Sequence, residues 1–260
     1  MKKITINSIK KKKGKIPITC LTAYSKDTAT ILDKYCDIIL VGDSIGMVLY
    51  GMKSTRDISI ETMIQHARTV KNFSKRSLVV FDMPYKSYLN KYDACKNAKK
   101  IIKLTKCDAV KLEGGKKISN IVKHLIKNKI PVMGHIGLLP QSSNKFKLKG
   151  KNLIDKKKIL EDAISLSNSG VFAVVIECVV ESLARKITNT VPIPTIGIGA
   201  SKYCDGQILV VDDMIGLSDF RPKFVKQYSN IRKIIEQSVK KYCHDVKKRR
   251  FPYYKNTYRS

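Results

Sequence analysis

In this 260-residue chain, polar residues with chemical potential stand where short apolar runs give out. Asp43 and Ser44 follow Ile39-Leu40-Val41-Gly42, and Asp82 ends Leu78-Val79-Val80-Phe81. Lys111 and Glu113 close the run 109–113, His135 lies near the end of 131–136, and Glu177 lies near the end of 171–178. An Asp directly after a strand is commonly the N-cap of the next helix, and that reading stays open for either Asp taken alone. A Glu within an apolar run is harder to explain so, because an unpaired buried carboxylate is costly. Five run ends carrying Asp, Asp, Glu, His and Glu around one Lys point instead to a convergent site. Three carboxylates from different runs, with no Cys or His cluster, suit a hard, oxygen-seeking cation such as Mg²⁺. A Lys among acids can hold a substrate carboxylate. It could also form a Schiff base, but acidic neighbours keep it protonated and weakly nucleophilic. A further carboxylate could take a proton beside a polarised carbonyl, so the set reads as metal-assisted enolisation.

Something must gather these residues. Eight short runs rich in Val and Ile read as strands buried on both faces: 16–22, 37–42, 78–82, 109–113, 131–136, 171–178, 193–199 and 207–212. Between most of them lie amphipathic segments with helical spacing. Ile60, Met63, Ile64, Ala67 and Val70 share one face; Ala94, Ala98, Ile101 and Ile102 share another; Ile118, Ile121, Val122, Leu125 and Ile126 a third. Residues 224–243 read as a closing helix. Strand–helix alternation predicts a parallel sheet with helical crossovers. Eight strands over about 250 residues predict one (β/α)₈ barrel (TIM barrel) domain spanning 1–260, with the polar residues at its C-terminal mouth. The runner-up is a flavodoxin- or Rossmann-like open sheet. It lacks support, because no strand is followed by Gly-x-Gly-x-x-Gly, and Gly197-Ile198-Gly199 is only a fragment of that motif.

The formal net charge of +30 raises the question of nucleic acid. The excess is mostly Lys, whereas bidentate phosphate recognition favours Arg. It recurs in nearly every helix-like segment, as at Lys99-Lys100, Lys156-Lys157-Lys158 and Lys240-Lys241, and no nucleic-acid motif accompanies it. A solvated basic surface with no specific nucleic-acid partner is expected. The seven cysteines are scattered, odd in number and without a Cys-x-x-Cys pair, as in a reduced, cytoplasmic protein. The basic start has no apolar stretch behind it that would make a signal peptide. The longest apolar stretch, 171–180, is too short to span a bilayer and carries Glu177, so no membrane partner is expected.

At these residues the chain closely resembles the ketopantoate hydroxymethyltransferase family. The likeness is carried by Val41-Gly42-Asp43-Ser44-Ile45-Gly46-Met47, Asp82-Met83-Pro84-Tyr85, Val110-Lys111-Leu112-Glu113-Gly114-Gly115, Gly134-His135-Ile136-Gly137 and Ile176-Glu177-Cys178-Val179. Stretches at 18–24, 138–142, 196–200 and 205–210 extend it in family order over nearly the whole chain. The resemblance implies a barrel of the phosphoenolpyruvate-mutase-like kind, a homo-oligomer (usually a decamer), and the first committed step toward pantothenate. It implies Mg²⁺ on Asp43 and Asp82, with Glu113 joining directly or through water. Substrate binding falls to Asp43, Ser44, Asp82 and Lys111, with Ser44 and Lys111 on the keto acid's carboxylate and Glu177 as proton acceptor. The implied substrates are 3-methyl-2-oxobutanoate and 5,10-methylenetetrahydrofolate. Three departures stand out: a shortened 141–150 segment without the usual Gly-Gly, Asp212-Asp213 where His-Asp is common, and Ser218-Asp219-Phe220 before Pro222. All lie outside the expected metal ligands, so they bear on folate contacts or loop motion. Another α-keto-acid lyase or mutase on the same barrel would share the metal site.

Overall fold

A computed structural model describes residues 2–143 and 147–258. The chain forms two compact units, Met1–Val210 and Val211–Ser260. In the first, eight parallel strands close a barrel in chain order: β1 (Ile18–Thr22), β2 (Ile38–Val41), β3 (Leu78–Asp82), β4 (Ala109–Glu113), β5 (Val132–Gly137), β6 (Ala173–Glu177), β7 (Thr195–Ile198) and β8 (Gly206–Leu209), with β8 pairing back onto β1. Helices α1 (Ile6–Lys10), α2 (Lys26–Tyr35), α3 (Ile45–Val48), α4 (Ile60–Phe73), α5 (Lys91–Thr105), α6 (Ser119–Lys127), α7 (Leu153–Asn168) and α8 (Glu181–Thr190) belong to the same unit. The second unit holds α9 (Val211–Met214) and α10 (Ile231–Lys247).

Period-two alternation divides each strand between two cores. Ile18, Cys20, Ile38, Leu40, Leu78, Val80, Ala109, Met133, Ala173, Val175, Ile196 and Ile208 fill the barrel, and Ile9 of α1 packs with them. The alternate residues, such as Ile39, Val79, Phe81, Val110, Leu112, Ile136, Val174 and Ile176, pack with the apolar faces of α4 to α8. Short polar caps start these helices: Ser25, Ser59, Asn90 and Asn152 accept N–H groups of the first turn of α2, α4, α5 and α7.

The N-terminal rim repeats one device. Asp37, Asp108 and Asp205 each precede a strand and accept the N–H of a residue on the strand before: Thr19 at 3.0 Å, Val79 at 2.9 Å and Thr195 at 2.8 Å. Each also meets a lysine, respectively Lys12, Lys71 and Lys13. The carboxylates satisfy donors that the sheet leaves open at its edge.

Two expected elements shift. The run at 207–212 is strand only to Leu209; Val211 to Met214 turn helical, so Asp212 lies on a helix and not at a strand end. The closing helix starts seven residues later than its apolar spacing suggests, where Asn230 caps Lys233 N–H.

Candidate active site

Strand alternation carries the inward face upward into the mouth. Above Leu78 and Val80 on β3 comes Asp82; above Ala109 on β4 come Lys111 and Glu113; above Met133 on β5 come His135 and Gly137; above Ala173 and Val175 on β6 comes Glu177. Register sets these side by side, pairing Asp82 with Lys111, Glu113 with His135, and Gly137 with Glu177. None of the acids is a helix cap. Ser44 stands at the start of α3, Asn90 caps α5, and Val180 precedes α8. The N-cap explanation of Asp43 and Asp82 is therefore excluded.

Lys111 Nζ donates to both Asp82 oxygens, at 2.7 and 2.8 Å, with both side chains buried. The Asp43 N–H lies 3.4 Å from Asp82 Oδ2. Gln141 Nε2 donates to Asp43 Oδ2 at 2.8 Å, and the Gln141 main-chain N–H donates to Glu113 Oε2 at 3.0 Å. His135 stands between two acids, with Nδ1 3.5 Å from Glu113 Oε1 and Nε2 3.2 Å from Glu177 Oε2. Neither contact is aligned as a hydrogen bond, so these are ion-pair separations. Ser44 is joined to a different neighbour, its Oγ 2.7 Å from Tyr24 Oη. The structure thus gathers Asp43, Asp82, Lys111, Glu113 and Glu177, with His135 linking the last two. Ser44 adjoins them through Asp43 in the chain.

Gathered acids perturb one another. Burial pushes Asp43 well above the ordinary carboxylate range, and the charges of Asp82 and Glu113 push the same way. Burial also raises Asp82, against the pull of Lys111. Burial would lower Lys111, but the carboxylates of Asp82, Glu113 and Asp43 outweigh it and keep the ammonium charged. Burial would raise Glu113, yet His135, Lys111 and the Gln141 N–H bring it below its usual value. Burial and Lys111 lower His135, and the flanking carboxylates overcome them and lift it to about 9.

Sequence reading gave no role to Gln141 or Tyr24, which stand only within the matching stretches, and passed over Tyr88. Tyr88 Oη donates to Gln141 Oε1 and accepts the Glu113 N–H at 3.3 Å. Gly137 makes the loop possible. It has φ of 93°, and a Cβ there would meet the Glu177 carbonyl oxygen at 2.3 Å. A cavity of about 540 Å³ opens beside Glu113, Tyr88 and Gln141, walled by Ile136 and Leu139 and edged by Lys158. Of the three departures, the 141–150 segment includes 144–146, outside the described residues. Asp212 and Asp213 are buried in α9, and burial raises both. Asp219 pairs with Arg232 at 3.0 Å.

A closed parallel barrel with polar residues converging on its C-terminal mouth defines the (β/α)₈-barrel class, with its candidate active site where such barrels carry theirs. A solved phosphonopyruvate hydrolase is 9% identical with a TM-score of 0.65, covering 100% of this chain and 92% of that one. A phosphoenolpyruvate phosphomutase from Streptomyces platensis subsp. rosaceus is 10% identical with a TM-score of 0.62, covering 94% and 88%. At such identities the likeness is one of fold. Sequence narrows it: the model of the ketopantoate hydroxymethyltransferase family matches residues 3–254. A 3-methyl-2-oxobutanoate hydroxymethyltransferase of Pelagibacter ubique (strain HTCC1062) is 54% identical, over 99% of this chain and 100% of that protein. The chain belongs to the ketopantoate hydroxymethyltransferase family.

Proposed function

We propose that the protein transfers a hydroxymethyl group from 5,10-methylenetetrahydrofolate to 3-methyl-2-oxobutanoate, giving 2-dehydropantoate and tetrahydrofolate on the way to pantothenate. Family membership supports the reaction. One arrangement supports the roles: Lys111 and Gln141 engage Asp82, Asp43 and Glu113, while Glu177 stands apart from them beside His135.

The donor set fits Mg²⁺. Asp43, Asp82 and Glu113 bring three buried carboxylates against the single ammonium of Lys111; burial, and after it the charges of Asp82 and Glu113, raise Asp43, and a hard cation would offset that charge. Among the described residues, no three His, Cys, Asp or Glu side chains converge as a ready ligand cluster. Lys111 holds both Asp82 oxygens, so cation and ammonium would share that carboxylate. Asp43 and Asp82 would hold the ion, with Glu113 joining directly or through water; when bound, it would polarise the keto oxygen and make the C3 proton more acidic.

The remaining steps fall to the protein's own side chains. Lys111 and Ser44 hold the keto acid's carboxylate, Lys111 by charge and Ser44 with its hydroxyl set by Tyr24. Glu177 takes the C3 proton, and His135, flanked by Glu113 and Glu177, is the charged neighbour beside it. C3 of the enolate attacks the folate methylene. One water is taken up, C3–H becomes C3–CH₂OH, and tetrahydrofolate leaves. The test is NMR of the keto acid with enzyme, Mg²⁺ and the folate. Product that forms without the folate, or a failure to form it with the folate present, would sink the reading in favour of another α-keto-acid enzyme.

The same proposal includes a homodecamer in the cytoplasm. Support for self-association comes from α10, none of whose residues is buried and which exposes Ile234, Ile235, Val239 and Tyr242. Support for a reducing compartment comes from seven free cysteines. No helix among the described residues is long and apolar enough to cross a membrane.

A further inference from the structure

Beyond Gly137 the chain turns back across the mouth and places one uncharged side chain, Gln141, among the acids. It is buried, and five polar contacts converge on it. Its Nε2 donates to Asp43 Oδ2 at 2.8 Å and to the Met83 carbonyl at 3.0 Å. Its Oε1 accepts from Tyr88 Oη. Its main-chain N–H donates to Glu113 Oε2 at 3.0 Å, and its carbonyl accepts from Arg56 Nε at 2.9 Å. A carboxamide has one donor end and one acceptor end. Two acceptors face the nitrogen and one donor faces the oxygen, so this amide has a single workable orientation. No carboxylate, hydroxyl or apolar side chain of that length could satisfy all three partners.

Asp43, in the turn after β2, and Glu113, at the end of β4, are buried acids whose charges oppose one another. Left to themselves they would move apart or rotate away. Gln141 donates to one from its side chain and to the other from its backbone, so the position of one residue fixes both. We infer that Gln141 is a positioning residue, setting the Asp43 and Glu113 carboxylates at the spacing that a divalent cation and the keto acid need, and tying that spacing to the seating of its own loop. The inference rests on the proposed reading of those acids as cation ligands.

The perturbation is Gln141→Met, which keeps length and volume and removes every side-chain hydrogen bond. The probe is Mn²⁺ alone, followed by electron paramagnetic resonance with no substrate present. The parent should bind Mn²⁺. The variant should bind it about 10–100-fold more weakly, as is usual when a partner that orients a metal ligand is lost. It should also show a raised KM for the keto acid, with its melting temperature kept close to the parent's. Tyr88→Phe removes the hydroxyl that fixes the amide and also accepts the Glu113 N–H, and it should weaken Mn²⁺ in the same direction by a smaller factor. Once Gln141 is Met, adding Tyr88→Phe should weaken it by less than Tyr88→Phe does alone, because only the Glu113 N–H contact is then left to lose. Parental Mn²⁺ affinity in Gln141→Met overturns this role alone. Losses that multiply independently in the double variant overturn it as well. If Gln141→Met does not fold, parental affinity in Tyr88→Phe decides against the role. A parent enzyme that binds no Mn²⁺ overturns the metal reading and this role together.

Discussion

Glu177→Gln separates a proton acceptor from a carboxylate buried for structure. Glu177 is 9% exposed, at the last position of β6, in register with Gly137 and Ile198. Its carbonyl accepts the Leu138 N–H at 2.8 Å, so the backbone holds the position whatever the side chain. The side-chain contact at risk is the 3.2 Å approach to His135, which is not an aligned hydrogen bond. His135 keeps Glu113 at 3.5 Å as a second counter-charge, so loss of this unaligned ion-pair contact costs on the order of 1 kcal/mol, which in a chain of this size lowers the melting temperature by about 2–4 °C. Catalysis should suffer far more. A positioned general base contributes about 10²–10⁴-fold, equivalent to about 3–5 kcal/mol of barrier at about 1.4 kcal/mol per decade. The assay is ¹H NMR of the keto acid in D₂O with Mg²⁺, with and without the folate. Exchange of the C3 proton needs no folate and isolates enolisation. The variant should bind the keto acid, melt within a few degrees of the parent, and lose exchange and transfer together by that factor. Exchange at the parental rate with transfer lost would refute the assignment and place Glu177 at a later step, on the folate. A variant that fails to fold would make Glu177 a structural carboxylate.

Three further outcomes are expected. Excess EDTA should abolish turnover and Mg²⁺ restore it, while Asp82→Asn, at a barrel mouth and not in its packed interior, should lose most activity and stay folded by circular dichroism; full turnover in EDTA would remove the metal from the mechanism. For the rim acids Asp108 and Asp205, and for Asp33 on α2, which accepts the Arg76 and Ser77 N–H groups, burial would raise the carboxyl, but their partners (Lys3, Lys71 and a backbone N–H at Asp108, Lys13 and backbone N–H groups at Asp205, backbone N–H groups at Asp33) bring each below its usual value; their stabilisation is therefore complete above the unfolded value near 3.8 and disappears as pH falls through the lower folded values, so urea stability should drop steeply below about pH 4, and Asp205→Asn should flatten that drop, an unchanged profile counting against the rim device. Binding to a DNA duplex should be weak, indifferent to sequence and largely lost at physiological salt; a salt-resistant complex with one sequence would mean that the +30 charge serves recognition.

The barrel was legible because its strands are nearly all apolar. β3 and β4 fall at the predicted 78–82 and 109–113, where both faces are buried and the run ends in charge. Errors arose where apolar residues continue past the strand. Val210 and Val211 extend the β8 run, but the sheet pairing stops at Leu209 and two acids open a short helix. Phe224, Val225 and Tyr228 share the spacing of α10 without belonging to it, and the Asn230 cap marks the true start. Periodicity records which residues seek burial, and a hydrogen-bonding cap records where the chain turns.

The charged half of the site was legible for the same reason. A carboxylate or ammonium inside an apolar run breaks the pattern, and period two then tells which breaks face one another. Lys111 and Glu113 share a face because they are two apart, and Asp82 meets Lys111 because their strands are neighbours in register. Gln141 gave no such signal. It is uncharged, it lies in a loop, and its partner Asp43 is 98 residues away. Nothing local to it distinguishes it from a solvated surface amide. Its role exists only after β2 and β5 have been closed into one barrel and Gly137 has turned the chain inward. In this barrel most of the charged side chains at the mouth sit on strands and can be read from spacing. The neutral donor that meets Asp43 and Glu113, Gln141, sits in a loop and shows only in the assembled mouth. Substitutions at Gln141 and Tyr88 should therefore weaken ligand binding while leaving the barrel's stability near that of the parent. Substitutions at the rim acids Asp108 and Asp205 should do the reverse.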